Sequence, residues 1–272
     1  MNGKVEIKES FILGKREDES LNEDGLVVTD NYISVIDGAS SAASFNGVSG
    51  GLLAKNIIAS ELETLENIED GFKVIKHLNL LLKQAQKAFP ESESNPSKRM
   101  FASLIIYNIN TRQIWNYGDC PFTVNGVLHQ YDKKIDVLNA NIRSFVVQYA
   151  LATGKNIDDI LRADPGAEAI KQMLDYQNTF ANKNVEYGYP ILDGFELCRE
   201  LFETVDVSQG DEVVLATDGY PKICPTLAES EKELQRLLES DPLCIGENKA
   251  VKCRYHGLKS FDDRCYIRFK VL

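Results

Sequence analysis

The chain has 272 residues, 43% of them hydrophobic, and its 41 acidic and 30 basic side chains give a formal net charge of −11. This length and apolar content are enough for a sizeable core, whereas the acidic balance disfavours nucleic acid and anionic membrane surfaces as partners. The N-terminal stretch MNGKVEIKES contains no apolar leader, and no apolar run approaches the length of a membrane span. We therefore expect a cytoplasmic protein.

The cysteines and histidines show no pattern typical of a metal or redox centre. Cysteine occurs at positions 120, 198, 224, 244, 253 and 265 without any CxxC spacing. The three histidines, His77, His129 and His256, form no HExxH or mixed Cys/His cluster. Reduced thiols are the simpler interpretation, and a zinc or redox site is the less favoured alternative.

Hydrophobic periodicity and turn residues divide the first part of the chain into short elements. Asp30-Asn31 is a turn pair between two apolar runs, and Asp70 can cap the start of a helix. The predicted elements are strands at 25–29 and 32–36, helices at 50–67 and from Asp70 to about Phe89, and a loop at 91–98.

The second part of the chain changes first to strands and then to helices. Asn125-Gly126 between apolar flanks is the strongest short hairpin signal, Asp164-Pro165 is typical of a helix start, and Thr226 with Glu229 forms a possible capping box. The predicted elements are an antiparallel meander at 101–131, mostly helix at 142–180, a loop at 183–194, strands at 198–206 and 212–217, a helix after Thr226, and a final strand CYIRFKVL.

The order of these elements decides the fold class. Strands occur in groups and do not alternate with helices, which favours an antiparallel α+β or layered sandwich over a doubly wound sheet. The sequence has no internal repeat and no linker rich in Ser, Gly or Pro. We therefore predict a single domain over residues 1–272.

Acidic residues stand at the ends of four predicted strands. Asp24 precedes the first strand, Asp37 ends the second, Asp218 follows the strand DEVVLAT, and Asp262 with Asp263 precedes the last. Carboxylates gathered at one place repel each other unless a cation lies among them, and Mg²⁺ or Mn²⁺ prefers such oxygen ligands. Taken singly, each Asp-Gly pair is better explained as a turn, and it is the order and context of all four positions together that favour a metal site.

The ordered set of motifs resembles the metal-dependent serine/threonine phosphatases of the protein phosphatase 2C family. LNEDGLVV is similar to its N-x-D motif, SVIDGASS to its strand-Asp-Gly motif, and VVLATDGY to its S/T-D-G motif. NYGDCPFTVNG, with Gly118 and Asp119, resembles the Gly-Asp segment, and FDDRCYIRF resembles the terminal Asp-Asp/Asn motif. The resemblance runs from about residue 10 to the C-terminus in family order.

The resemblance implies a fold, a metal centre and a reaction. The implied fold is a four-layer αββα sandwich of two antiparallel sheets flanked by helix pairs. Two divalent ions, Mg²⁺ or Mn²⁺, would lie in a cleft at one edge, with Asp37 and Asp218 as catalytic residues. The implied metal ligands are Asp24, Asp37, the Gly38 carbonyl, Asp218 and Asp262. The implied substrate is a phosphorylated protein, with a kinase or its target as the candidate.

Three features depart from the family pattern. The family has an arginine shortly before its first metal-binding Asp, whereas the nearest basic residues here are Lys15 and Arg16. The segment ASS follows Asp37-Gly38, so the histidine of eukaryotic members is absent. Residues 132–197 match poorly and correspond to a variable flap, in which Asp193 is a candidate ligand for an additional metal or a simple turn residue.

Three rival functions follow from the same residues. A catalytically weak pseudophosphatase that acts as a binding or regulatory module would explain the departures. A phosphotransferase of the haloacid dehalogenase type needs Asp-x-Asp after a strand, which neither Asp37 nor Asp218 provides. A cysteine-based phosphatase needs a Cys loop that ends in arginine, and none is present. Metal-dependent hydrolysis of phosphomonoesters is the favoured prediction.

Overall fold

The structure is a computed structural model that describes residues 4–39 and 44–272. Twelve strands and seven α-helices lie in that part of the chain. The strands are β1 (Val5–Leu13), β2 (Asp24–Val28), β3 (Tyr32–Gly38), β4 (Ser44–Phe45), β5 (Val48–Ser49), β6 (Ala102–Asn108), β7 (Gln113–Tyr117), β8 (Phe122–Val124), β9 (Val127–His129), β10 (Glu203–Asp206), β11 (Glu212–Ala216) and β12 (Arg264–Val271). The helices are α1 (Gly50–Thr64), α2 (Gly71–Gln86), α3 (Glu91–Ser94), α4 (Lys134–Ala152), α5 (Ile157–Arg162), α6 (Pro165–Gln177) and α7 (Leu227–Ser240).

Ten of the strands form two five-stranded antiparallel sheets. One sheet has the order β1-β12-β11-β8-β9, and the other has the order β10-β7-β6-β3-β2. β4 and β5 pair separately as a small ribbon. This architecture confirms the predicted α+β class with two antiparallel sheets.

The core is layered because strand side chains alternate between the two faces of each sheet. Ile33 and Val35 of β3 lie in a cluster shared by both sheets. Tyr32 and Ile36, on the opposite face of the same strand, pack with α1 and α2. The outer face of the other sheet packs against α7, for example through Leu234. The two sheets therefore lie face to face, with helices outside each.

Several element predictions are wrong in detail. The strand β1 was not predicted, because its exposed positions alternate with half-buried ones and dilute the apolar signal. Residues 101–131 do not form one meander, since β7 and β8 belong to different sheets. The loop predicted at 91–98 contains α3, and the strand predicted at 198–206 is limited to β10. The helical region predicted from 142 begins earlier, at Lys134.

Candidate active site

The strand register brings the predicted carboxylates to one edge of the sandwich. Asp24 and Asp37 are directly opposed across the β2–β3 pair. Asp37 continues the alternating row of Ile33 and Val35, which faces the space between the sheets. Thr217 follows β11 in the same way, directly after the strand's last residue. Both sheets therefore contribute polar side chains to the same end of the inter-sheet space.

A hydrogen bond across the two sheets fixes Asp24. Its carboxylate accepts a 2.7 Å bond from the Thr217 hydroxyl, which itself accepts a 2.8 Å bond from the Cys265 amide. Asp24 is only 3% exposed. Burial, together with the charge of Asp262 and other neighbouring carboxylates, raises its pKa well above the ordinary value. Asp24 is thus held rigidly in a place where its negative charge is poorly compensated.

Asp37 and Asp218 are the least compensated carboxylates of the site. Within the described ranges, no side chain or backbone group donates a hydrogen bond to either carboxylate. Burial and the charge of Asp218 raise the pKa of Asp37 well above its ordinary value. Loss of solvent around the Asp218 carboxylate and the charge of Asp262 raise the pKa of Asp218 to about 6, although the residue as a whole is exposed. These two groups would gain most from a bound cation.

Asp262, in contrast, lies between two lysines. The Lys15 ammonium donates to it at 2.6 Å, and the Lys252 ammonium pairs with its other oxygen. Burial opposes ionisation of Asp262, but the Lys252 and Lys15 charges outweigh it and lower its pKa to about 2. The neighbouring Asp263 accepts bonds from the backbone amides of Lys15 and Glu23, at 2.7 and 3.1 Å. Asp263 therefore joins the ends of three strands, whereas Asp262 faces the cleft.

Asp119 also has a cationic partner. Lys133, just before α4, donates to it at 3.0 Å, and the Ser103 hydroxyl donates at 2.6 Å. Burial opposes the charged form of Asp119, yet the Lys133 charge and the Ser103 bond lower its pKa. Lys133 is shared with Asp136 of α4, also at 3.0 Å. The Gly-Asp motif is thus linked directly to the first residues of the flap-like segment.

Two motif glycines are required by close backbone approach. A Cβ on Gly38 would lie 2.3 Å from the Gly51 carbonyl oxygen, at the start of α1. A Cβ on Gly219 would lie 1.9 Å from the Asp263 carbonyl oxygen. Each glycine therefore lets its Asp-Gly turn pack tightly against a neighbouring segment. This close packing accounts for the glycine in both Asp-Gly motifs. It is compatible with the ligand role that the resemblance implies for the Gly38 carbonyl.

The donor set fits a hydrated hard cation better than a closed ligand cage. Among the described residues, no three acidic, histidine or cysteine side chains form a group that could hold a metal ion directly. Mg²⁺ keeps several of its waters and is satisfied by one or two carboxylates. The oxygens of Asp37 and Asp218, which lack donors in the described ranges, are suited to such binding.

A cleft with a volume of about 470 Å³ is lined by Asp218 and Asp262, whereas Asp24 and Asp37 are not among its described lining residues. Its floor includes Asp119, Asp218 and Asp262, and its walls come from the start of α4 and from residues 248–252. The lysines Lys15, Lys133 and Lys252 were missed by the sequence argument as partners of these acids. No local pattern identifies them, because the Lys15–Asp262 pair joins residues 247 positions apart.

Other predicted candidates lie in different surroundings. Asp193 is 1% exposed and bound by Arg99 at 2.8 Å, and it accepts the Phe195 amide at 2.9 Å. These contacts explain Asp193 as a turn and ion-pair residue. Arg16 is not among the described residues that line the cleft. Ser40 and Ser41 of the ASS segment lie outside the described residues.

Two further findings concern the cysteines and the helices. All six cysteines are free. In residues 4–39 and 44–272, no helix has both the length and the apolar character needed to cross a membrane.

No family model and no curated protein matches the sequence. Solved structures do match. The serine/threonine phosphatase PstP/Ppp of Mycobacterium tuberculosis has 14% sequence identity and a TM-score of 0.52, with 98% of this chain and 99% of that chain covered. The catalytic domain of PstP in complex with two manganese ions has 15% identity and a TM-score of 0.51, with 99% of each chain covered. The chain therefore has the fold of the phosphatase 2C-type bacterial serine/threonine phosphatases, as its motifs predict.

Proposed function

We propose that the protein is a metal-dependent phosphatase that hydrolyses phosphomonoesters, with phosphoserine and phosphothreonine in proteins as the natural substrate class. The convergence of Asp24, Asp37, Asp218 and Asp262 at one edge of the fold is the observation that carries the proposal. The structural likeness to PstP, which has been solved with manganese, supports the choice of Mg²⁺ or Mn²⁺ as cofactor.

Two divalent ions would be held by Asp24, Asp37, the Gly38 carbonyl, Asp218 and Asp262. Bound there, they supply an activated water as nucleophile and neutralise charge on the phosphoryl oxygens. Asp37 and Asp218 are the proposed catalytic residues because no described residue donates a hydrogen bond to either carboxylate, and Asp218 also lines the cleft. Thr217 orients Asp24 through its 2.7 Å hydrogen bond.

The test is hydrolysis of p-nitrophenyl phosphate with Mn²⁺, with Mg²⁺ and with EDTA, in wild type and Asp218→Asn. We expect turnover that requires the metal and that EDTA and the substitution both abolish. Full activity in Asp218→Asn would refute the site assignment. No turnover from folded, metal-loaded protein would refute the enzymatic proposal and favour a binding module. A panel of phosphoserine and phosphothreonine peptides then tests the substrate class.

A further inference from the structure

The cleft is lined by lysine side chains that have no assigned role in the proposed metal site. Lys252 lies in the wall formed by residues 248–252, and Lys133 lies at the start of the flap-like segment. Both line the same cavity as Asp218, and both ammonium groups are close enough to act on the charge of that carboxylate. A phosphoryl group bound above Asp218 would therefore have a positive side chain from each wall.

The segment before the first metal-binding Asp is unsuited to this task. Lys15 is 5% exposed and its ammonium contacts Glu23, Asp262 and Asp263 below the cleft. Arg16, the other basic residue there, does not line the cavity within the described ranges. The residues that follow it, Glu17 to Glu19, are all acidic. A phosphoryl-binding cation is therefore more readily supplied from another part of the chain.

The wall that carries Lys252 is held firmly in place. Arg143 of α4 is fully buried and donates to the carbonyls of Leu243, Cys244 and Ala250, at 3.0 to 3.2 Å. These contacts fix the main chain two residues before Lys252. The backbone that carries Lys252 is thus pre-positioned, so less conformational entropy is lost when this side chain binds an anion.

We propose that Lys252, with Lys133 across the cleft, binds the phosphoryl group of the substrate in place of a cation from the segment before Asn22. This assignment rests on the proposed function. The Lys252 ammonium pairs with Asp262 and the Lys133 ammonium with Asp119. Once the charge of Asp262 is engaged by a divalent cation, the Lys252 ammonium exchanges that carboxylate for a phosphoryl oxygen. Phosphate and metal binding are then mutually favourable.

The test uses inorganic phosphate and Mn²⁺ as probes, each titrated calorimetrically into wild type, Lys252→Gln, Lys252→Arg, Lys133→Gln and Lys249→Gln. Lys249 is the matched control, because it lines the same wall but donates to Asn141 at 3.0 Å and not to an acidic residue. With Mn²⁺ present, we expect Lys252→Gln to weaken phosphate binding by roughly tenfold or more. Lys133→Gln weakens it less, Lys252→Arg retains most of the affinity, and Lys249→Gln matches wild type.

Mn²⁺ binding separates a local effect from misfolding. Lys252→Gln should bind Mn²⁺ at least as tightly as wild type, since the Lys252 ammonium then no longer competes for Asp262 and only that of Lys15 remains. Equal phosphate affinities in Lys252→Gln and Lys249→Gln would overturn the assignment, and so would wild type that binds no phosphate in the presence of Mn²⁺. The titration needs no turnover. Phosphate binding that depends on Lys252 in a protein without hydrolytic activity would thus refute the proposed function and leave the anion site standing.

Discussion

Arg143 is a single buried cation that holds the lysine-bearing wall of the cleft. Its guanidinium is 0% exposed and pairs with Asp164, itself 2% exposed, at 2.7 Å. The same group donates to three backbone carbonyls between residues 243 and 250. Substitution by methionine keeps the length and bulk of the side chain but removes every one of these bonds. Asp164 would then be a buried carboxylate without its cation.

The expected cost follows from that loss of partners. Breaking a buried ion pair by removing one member typically destabilises a protein by about 3–5 kcal/mol. Asp164 would retain its bonds from the Gly166 and Ala167 amides and from Tyr255, which limits the penalty to the lower part of that range. For a chain of this size the melting temperature should fall on the order of 10 °C.

Arg236→Met is the matched control. Arg236 makes a two-carboxylate ion pair with Glu233 and Glu247, but its side chain is 43% exposed. Exposed pairs of this kind contribute little because solvent and salt screen them. Thermal unfolding in EDTA, followed by circular dichroism, should therefore separate the two variants. Equal melting temperatures for Arg143→Met and Arg236→Met would refute the claim that the guanidinium supports the cleft wall.

Two further substitutions test the carboxylate edge. In EDTA at about pH 8, Asp37→Asn should raise the melting temperature, because burial and the Asp218 charge raise the pKa of Asp37 and its ionised form opposes folding. The gain in melting temperature should shrink as the pH falls and Asp37 becomes protonated. With saturating Mn²⁺, wild type should instead have the higher melting temperature. A gain that does not depend on pH would contradict this reasoning. Gly219→Ala should lower the melting temperature markedly in urea-free buffer, since its Cβ would lie 1.9 Å from the Asp263 carbonyl oxygen. Gly210→Ala, where nothing lies within 4 Å and only the positive φ of 97° is strained, is the control, and equal losses would refute the steric argument.

Much of the site was predictable because it depends on local patterns repeated in order. Ile33 and Val35 lie in the cluster between the sheets, and the alternation of β3 puts Asp37 on the same side of the strand as these two residues. The separation of β7 from β8 into different sheets was not predictable. The connection NYGDCPF is short enough for a hairpin, and only packing between the two sheets decides that the chain crosses from one to the other at that point.

The lysines could not be predicted for a different reason. Lys15 and Asp262 are 247 residues apart, and neither lies in a pattern that requires the other. Clustered carboxylates in a sequence indicate only that their charge needs compensation. Which acids receive a protein cation depends on the three-dimensional approach of β1, α4 and the segment before β12. Hydrophobic periodicity and turn residues are local patterns, so they do not reveal such long-range pairing.

Lysines neutralise the charge of some of these acids more than that of others, and this difference indicates where an added cation would bind. Lysines lower the pKa of Asp262 and Asp119, so these two carboxylates are already ionised and paired. The pKa values of Asp24, Asp37 and Asp218 are raised, because loss of solvent around these carboxylates and their mutual repulsion outweigh the contacts that favour the charged form. A divalent ion gains most where negative charge is least compensated. We therefore expect the tightest metal binding beside Asp37 and Asp218, and weaker binding wherever the ion must displace Lys252 from Asp262.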